Sequence, residues 1–441
     1  MLKRKITAQL KEWRRQHKED CLLVKGARQV GKTYTITRFG EEEYESFIYV
    51  NFIESPELKT IFAGDLSRTE IKKRMSLLVP GIRFASRSTL LFLDEIQECP
   101  EARTALKFLA QDDTIDVIAS GSLLGLSYRE VTSIPVGYER QIEMFGLDFE
   151  EYLWAIGLDE SSTDALREHF EKLKPLADAV HEKMLERLRD FMVIGGMPAV
   201  VQAFVDSQNF ATAFSEQEMI LNSYLDDIAK YASPTDRNKA RECYLSIPRQ
   251  LAKENTKFKY GVVEKKGTAR KFLGALDWLR DASLIRYCRF VTTPQFPLRA
   301  YEDESRFRVY LNDPGLLCAM YGFEMMAAIA NDELNGPMKG GVYENVVADM
   351  LFKSGCDLHY WMNNKGNIEI EFLLERDAHV VPVEVKAKKG STASLNSMLE
   401  REDVRMGYKL SSGNIGVAGK KITIPLYMAG YLKRALESTE A

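Results

Sequence analysis

The stretch Gly26-Ala27-Arg28-Gln29-Val30-Gly31-Lys32-Thr33 satisfies G-x-x-x-x-G-K-[ST] at every position and constrains the fold more than any other part of the chain. Glycine at both ends lets the loop turn so that successive backbone N–H groups point at an anion, an approach that a Cβ would block. Lys32 adds a point charge for the β and γ phosphates and Thr33 a hydroxyl for Mg2+. Both begin a predicted helix whose positive end favours phosphate. The apolar run Cys21-Leu22-Leu23-Val24 reads as the preceding strand. Strand, loop and helix in this order predict an ATP-binding loop at the edge of a parallel α/β sheet.

The following segments extend that sheet. Phe47 to Phe52 is a second strand, and Thr89-Leu90-Leu91-Phe92-Leu93 is a buried strand that ends on Asp94 and Glu95, the Walker B pattern. Asp94 is expected to reach the metal through water, and Glu95 to orient and deprotonate the attacking water. Asp116 to Ser122 gives another buried strand closing on small hydroxyl residues. This order resembles the AAA+ ATPases, and equally the signalling ATPases that share their core. The resemblance implies that a polar residue at the end of that strand, Ser120 or Ser122, senses the γ phosphate; loop serines beside a turn glycine are the plainer alternative. Arg140 suits an arginine finger acting in trans, which would require a homo-oligomer, or an ordinary surface arginine.

At 441 residues the chain has room for two or three domains. Its formal net charge of −4 gives no whole-chain attraction to nucleic acid or anionic lipid, so such binding must come from local patches. The six cysteines form no C-x-x-C pair, and five histidines include no His-x-x-x-His pair, which speaks against disulfide and zinc-hydrolase readings. The amino-terminal Ala8 to Arg15 segment is amphipathic and unlike a secretory leader. No apolar run approaches the roughly 18 residues of a membrane span, so we expect a cytoplasmic protein without a membrane partner.

Residues 1–150 are therefore assigned to the ATPase core. Residues 151–334 read as a helical lid, interrupted at Gly195-Gly196-Met197-Pro198, followed by a winged helix: helices near 240–252 and 268–280, a short extended piece at 257–263, and a hairpin through 284–290 and 307–311. Lys257, Lys259, Lys265, Lys266, Arg270 and Lys271 stand there against one acid, Glu264. The patch suits nucleic-acid phosphates or the solvated face of a protein-binding module.

Residues 335–441 carry a second set of carboxylates. Glu344 lies on an amphipathic helix, Glu371 on one strand, and Glu384 and Lys386 on one face of the next. Glu371, Glu384 and Glu344 would hold a divalent cation while Lys386 positions or deprotonates a water. The arrangement resembles the PD-(D/E)xK, restriction-endonuclease-like fold, with Glu371 where that family usually has Asp. Taken together, the motifs just quoted, with Phe307 to Leu317 and Tyr343-Glu344-Asn345, are similar to a prokaryotic family of predicted AAA+ ATPases fused to such a domain. That resemblance implies binding of ATP with Mg2+, hydrolysis and a link to nucleic acid. It leaves cleavage open, since a domain that holds a protein or nucleic acid without cutting fits the same residues.

Overall fold

Five short segments pair in parallel to make the first sheet: β1 (Cys21–Gly26), β2 (Ser46–Asn51), β3 (Thr89–Asp94), β4 (Asp116–Ser122) and β5 (Glu139–Glu143), in the order β2-β3-β4-β1-β5. The computed structural model describes residues 2–16, 19–85, 88–122, 137–233, 235–253, 256–388 and 390–437. It divides into two units: Arg4–Gly146 with Asp281–Ser283, and Met1–Lys3, Leu147–Arg280 and Leu284–Ala441.

In the first unit the sheet is covered on both faces, which is why its inner strands carry continuous apolar runs rather than alternating ones. All six residues of β3 are buried. Alternation divides them between two cores. Leu90 and Phe92 pack with Leu22, Val24 and Ile118 against α1 (Ile6–Gln16) and α2 (Lys32–Glu43). Leu91 and Leu93 pack with Leu23, Val117 and Ala119 against α3 (Arg68–Leu78) and α4 (Pro100–Leu109). The central order β3-β4-β1 brings the ends of β3 and β4 beside the loop that follows β1.

The second unit opens with helices α5 (Phe149–Ala155), α6 (Glu160–Glu171), α7 (Asp178–Ile194), α8 (Pro198–Ser207) and α9 (Phe210–Tyr231). Then come α10 (Arg237–Leu251), an extended contact in which Lys257 bridges Arg308, α11 (Tyr260–Val263), α12 (Ala269–Asp281), and the antiparallel pair β6 (Ile285–Val291) and β7 (Glu302–Leu311). The extended piece expected at 257–263 is thus confined to its first residues, and 260–263 is a helical turn.

After α13 (Pro314–Tyr321), α14 (Phe323–Ala330) and α15 (Gly336–Lys353) come β8 (His359–Met362), β9 (Glu369–Arg376), β10 (His379–Val385), α16 (Ala393–Leu399), β11 (Gly407–Ser411), β12 (Gly416–Ala418), β13 (Lys421–Pro425) and α17 (Leu432–Glu437). All eight strands form one mixed sheet, ordered β12-β13-β11-β10-β9-β8-β6-β7. The hairpin expected as a separate wing therefore continues into the carboxyl-terminal sheet. Its free edge is taken up by β8, with Arg289 beside His359 and Phe290 beside Tyr360. An open strand edge invites such pairing.

Two sequence features that lie far apart in the chain meet in this unit. Asp313, 1% exposed, caps α13 by accepting from the Leu316 N–H at 3.0 Å and also accepts from the Gly196 N–H at 2.6 Å. Gly195 has φ +76°, and a Cβ there would come within 2.1 Å of the Asp313 carboxylate. This explains the glycine pair after α7. Replacing Asp313 by Ala leaves two buried N–H groups unpaired and should lower the unfolding free energy of this unit by about 3 kcal/mol in urea denaturation. A loss well under about 1 kcal/mol would contradict the assignment of Asp313 as the tie between the two segments.

Candidate functional site

The loop after β1 is shaped by its backbone. Gln29 (φ 64°) and Gly31 (φ 91°) both take left-handed conformations, and Gly31 immediately precedes the first turn of α2. Gly26 is packed so closely under β5's continuation that a Cβ would meet the Met144 carbonyl oxygen at 2.2 Å. Arg4, ahead of α1, donates to the Val30 carbonyl at 3.0 Å and steadies the loop from beneath.

Lys32 is buried and folds back on the loop, donating to the Gly26 and Ala27 carbonyls at 3.0 and 2.8 Å. Burial pushes its ammonium down from 10.5 to about 8, although Glu95 and Asp94 hold it up, and Arg28 adds to the depression. Such a group waits for an anion: a phosphate would replace the carbonyls as its partner and raise its pKa.

Across the loop, Asp94 is 2% exposed and collects donors from three elements. Thr33 Oγ1 donates to Asp94 Oδ2 at 2.7 Å, Tyr49 OH to the same oxygen at 3.2 Å, and Ser120 Oγ to Oδ1. The Glu95 N–H also donates to Oδ1, at 3.0 Å. Register brings this about, because Asn51 of β2 lies beside Asp94 and Ala119 of β4 beside Leu93. Glu95 follows with φ 54°, a conformation uncommon for a residue with a Cβ, and accepts from the Gln97 amide.

The structure thus brings Gly26 to Thr33, Asp94, Glu95 and Ser120 to one edge of the sheet. Ser122 ends β4 with its backbone beside Gly26, and its side chain lies outside the described atoms. Arg140 is held elsewhere, by Asp20 at 2.8 and 3.0 Å and Gln16 at 2.9 Å. Arg4, Tyr49 and Gln97 were not foreseen. Tyr49 could have been found from its place on the β2 face that flanks Asp94; Gln97 carries no signal in the sequence, since the backbone turn at Glu95 alone returns it to the site.

These residues fit ATP with Mg2+ as a pair. Thr33 and Asp94 offer hard oxygens beside the phosphate loop. Oxygens of this kind would suit a Mg2+ that also takes nucleotide phosphates as ligands.

The carboxyl-terminal carboxylates are also neighbours. Lys386 Nζ lies 3.2 Å from Glu371 and 3.1 Å from Glu384, while the Val385 N–H donates to Glu371 at 3.3 Å. Burial drives Glu384 up despite Lys386. Burial opposes the charge on Lys386, but the two carboxylates outweigh it and raise its pKa. Both carboxylates thus favour the charged form of Lys386 in this arrangement.

Glu344 faces a different cation. Arg308, 2% exposed, pairs with it at 3.5 Å and also with Glu369, and Tyr310 OH donates to Glu344 at 3.1 Å. Burial raises the Glu344 pKa against the Arg308 charge, and Glu371 raises it further. Neither Arg308 nor Glu369 was singled out in the sequence.

Parallel strand order, the loop geometry and the Thr33–Asp94–Ser120 cluster define the first unit as a P-loop nucleotide-binding module. Residues 18–153 match the AAA domain family model, in keeping with that module. Residues 185–327 match a domain of unknown function (DUF8612), and residues 339–427 another (DUF4143). No curated protein matches the chain.

Among solved structures, a Walker-type ATPase of Pyrococcus abyssi is 13% identical, over 73% of this chain and 96% of that one, with a TM-score of 0.40. The ORC1 protein of Aeropyrum pernix in complex with DNA is 13% identical over 74% and 94%, with a TM-score of 0.28. Cdc6p of Pyrobaculum aerophilum is 13% identical over 75% and 93%, with a TM-score of 0.23. Scores this low carry no weight here; the domain match and the geometry do. No helix among the described residues is long and apolar enough to cross a membrane.

The Lys32 environment makes a pH prediction. Its pKa in the free protein, about 8, must rise when phosphate binds, so binding takes up a proton above that pH. The charged form is present below about 8 and lost above it. ATP affinity should therefore be flat up to about pH 7 and fall about tenfold by about pH 9, with matching proton uptake in calorimetry across buffers. Constant affinity through this range would contradict the assignment.

Proposed function

We propose that the protein is a Mg2+-dependent ATPase whose nucleotide state gates a nucleic-acid-directed carboxyl-terminal region. One observation carries the ATPase part: Asp94 gathers the Thr33, Ser120 and Tyr49 hydroxyls beside the buried Lys32. Mg2+ bound with the nucleotide would neutralise phosphate charge. Lys32 would bind the β and γ phosphates, Thr33 and Asp94 would hold the ion's position, and Ser120 would report the γ phosphate through Asp94. Glu95 would take the proton of the attacking water.

The expected signature of Glu95→Gln is ATP binding within about twofold of the unmodified protein and a turnover at least about 100-fold slower. Hydrolysis at the unmodified rate would remove Glu95 from the chemistry.

The nucleic-acid part is supported by the helix, short strand, helix, helix and hairpin order from α10 to β7, which we read as a winged helix. Lys259, Lys265, Lys266 and Arg270 are exposed around α11 and α12, whereas Lys271 is paired with Glu264. For the region from α15 to β11 we retain the restriction-endonuclease-like reading. A cytoplasmic setting is compatible with six buried, free cysteines.

A second reading, a domain that holds its partner without cutting, is favoured by Arg308. A guanidinium already stands between Glu344 and Glu369, and its centre lies 4.2 Å from the Tyr360 ring, so one of the three carboxylates expected to hold a cation, Glu344, already has a cationic partner. We therefore expect duplex DNA to be bound with a steep salt dependence and to stay intact in Mg2+ or Mn2+. Metal-dependent cutting that disappears in Lys386→Ala would overturn this second reading and restore the nuclease.

A further inference from the structure

Strand register carries the carboxylates of β9 and β10 into a row of lysines. Glu384 on β10 lies beside Lys409 on β11, and Lys409 lies beside Thr423 on β13. Paired residues of neighbouring strands project to one face, and residues two apart along a strand share it. Lys386, Lys409 and Lys421 therefore stand on the face of Glu384.

The lysines of β11 and β13 differ from Lys386 in what they touch. Lys409 Nζ donates to the Gly390 carbonyl at 2.9 Å, and Lys421 Nζ to Asn396 Oδ1 at 3.1 Å and Thr392 Oγ1 at 3.4 Å. Lys420, in the turn between β12 and β13, donates to the Leu399 and Arg401 carbonyls at 3.1 and 3.0 Å. All three ammonium groups thus donate to neutral oxygens. Among the charges that Lys409 feels, Lys421 and Lys386 are like and Glu384 is opposite. Positive charge gathered in this way and held by neutral dipoles attracts a polyanion.

The face is also open. On β12, Gly416 pairs with Thr423 and Ala418 with Lys421, so the edge strand turns small residues to the lysine side. Val417 between them, 57% exposed, belongs to the other side. A Cβ at Gly416 would meet nothing within 4 Å. A second backbone can approach such a surface closely. The outward positions Lys421, Thr423 and Ala418 include no large apolar side chain that would anchor a peptide.

We propose that this lysine face, formed by Lys409, Lys420 and Lys421 beside Glu384 and Lys386, takes the sugar-phosphate backbone of duplex DNA. This rests on the reading of the carboxyl-terminal region as nucleic-acid-directed, and it assigns binding to the sheet as well as to the exposed lysines around α11 and α12. Lysines on phosphates position a duplex without reading its sequence. The surface accordingly binds by charge.

The test follows a fluorescent duplex binding to the full chain by anisotropy across a salt series. In Lys409→Ala/Lys421→Ala, binding at about 0.1 M salt should weaken about tenfold, and the slope of log affinity against log salt should shrink by about two, alike for duplexes of unrelated sequence. Lys409→Arg/Lys421→Arg keeps the charges and should bind within about threefold of the unmodified chain. That recovery separates lost charge from lost packing, and an arginine variant as weak as the alanine one would overturn the proposal. So would an unchanged salt slope in the alanine variant of a chain that binds the duplex. The nucleic-acid reading would then rest on the patch around α11 and α12, where Lys265→Ala/Lys266→Ala should carry the loss. An unmodified chain that leaves the duplex unbound at low salt would end that reading and this proposal together. Polyglutamate that displaces the duplex at equal charge would assign the face to an acidic protein segment and overturn the proposal as well.

Discussion

A buried carboxylate at the end of the most apolar strand is the constraint on which the first unit depends. A carboxyl group buried there needs hydrogen-bond donors, and the hydroxyls of Thr33, Ser120 and Tyr49 that supply them come from three different elements. Those donors converge only if β2, β3 and β4 run parallel in this register and β1 delivers its loop alongside. The fold therefore serves the site at one particular edge. The same packing that buries Leu90 to Leu93 on two faces decides where Asp94 emerges.

Lys32 shows the complementary half of this economy. An ammonium is buried among loop carbonyls that satisfy it only as neutral dipoles, and burial pulls its pKa down to about 8. A polyanion is a better partner than those carbonyls, so the site is biased toward phosphate before any nucleotide arrives. The left-handed residues Gln29, Gly31 and Glu95 are concentrated around the same edge. Strained backbone of this kind is characteristic of functional loops.

Much of this could be read from residue order alone, because the phosphate loop and the strand ending in Asp94 and Glu95 are contiguous motifs. Contacts made by distant residues were not readable. Arg4 beneath Val30 and Asp313 on Gly196 depend on tertiary packing and have no local pattern. In the second unit Glu371, Glu384 and Lys386 were visible because strand alternation places them on one face. The pairing of β6 with β8 was hidden, because a strand edge gives no sign in the sequence of which neighbour it takes. Arg308 was missed for a related reason: it reads as one of many charged strand residues until its burial between Glu344 and Glu369 is seen.

The most direct test of the central claim is steady-state ATP hydrolysis by the purified full chain, with Mg2+ and then with the ion chelated, each with and without duplex DNA. The account predicts turnover that requires Mg2+ and responds to DNA. Tight ATP binding with hydrolysis unaffected by chelation would contradict the part given to Thr33 and Asp94, and a chain that neither binds nor hydrolyses ATP would contradict the whole assignment.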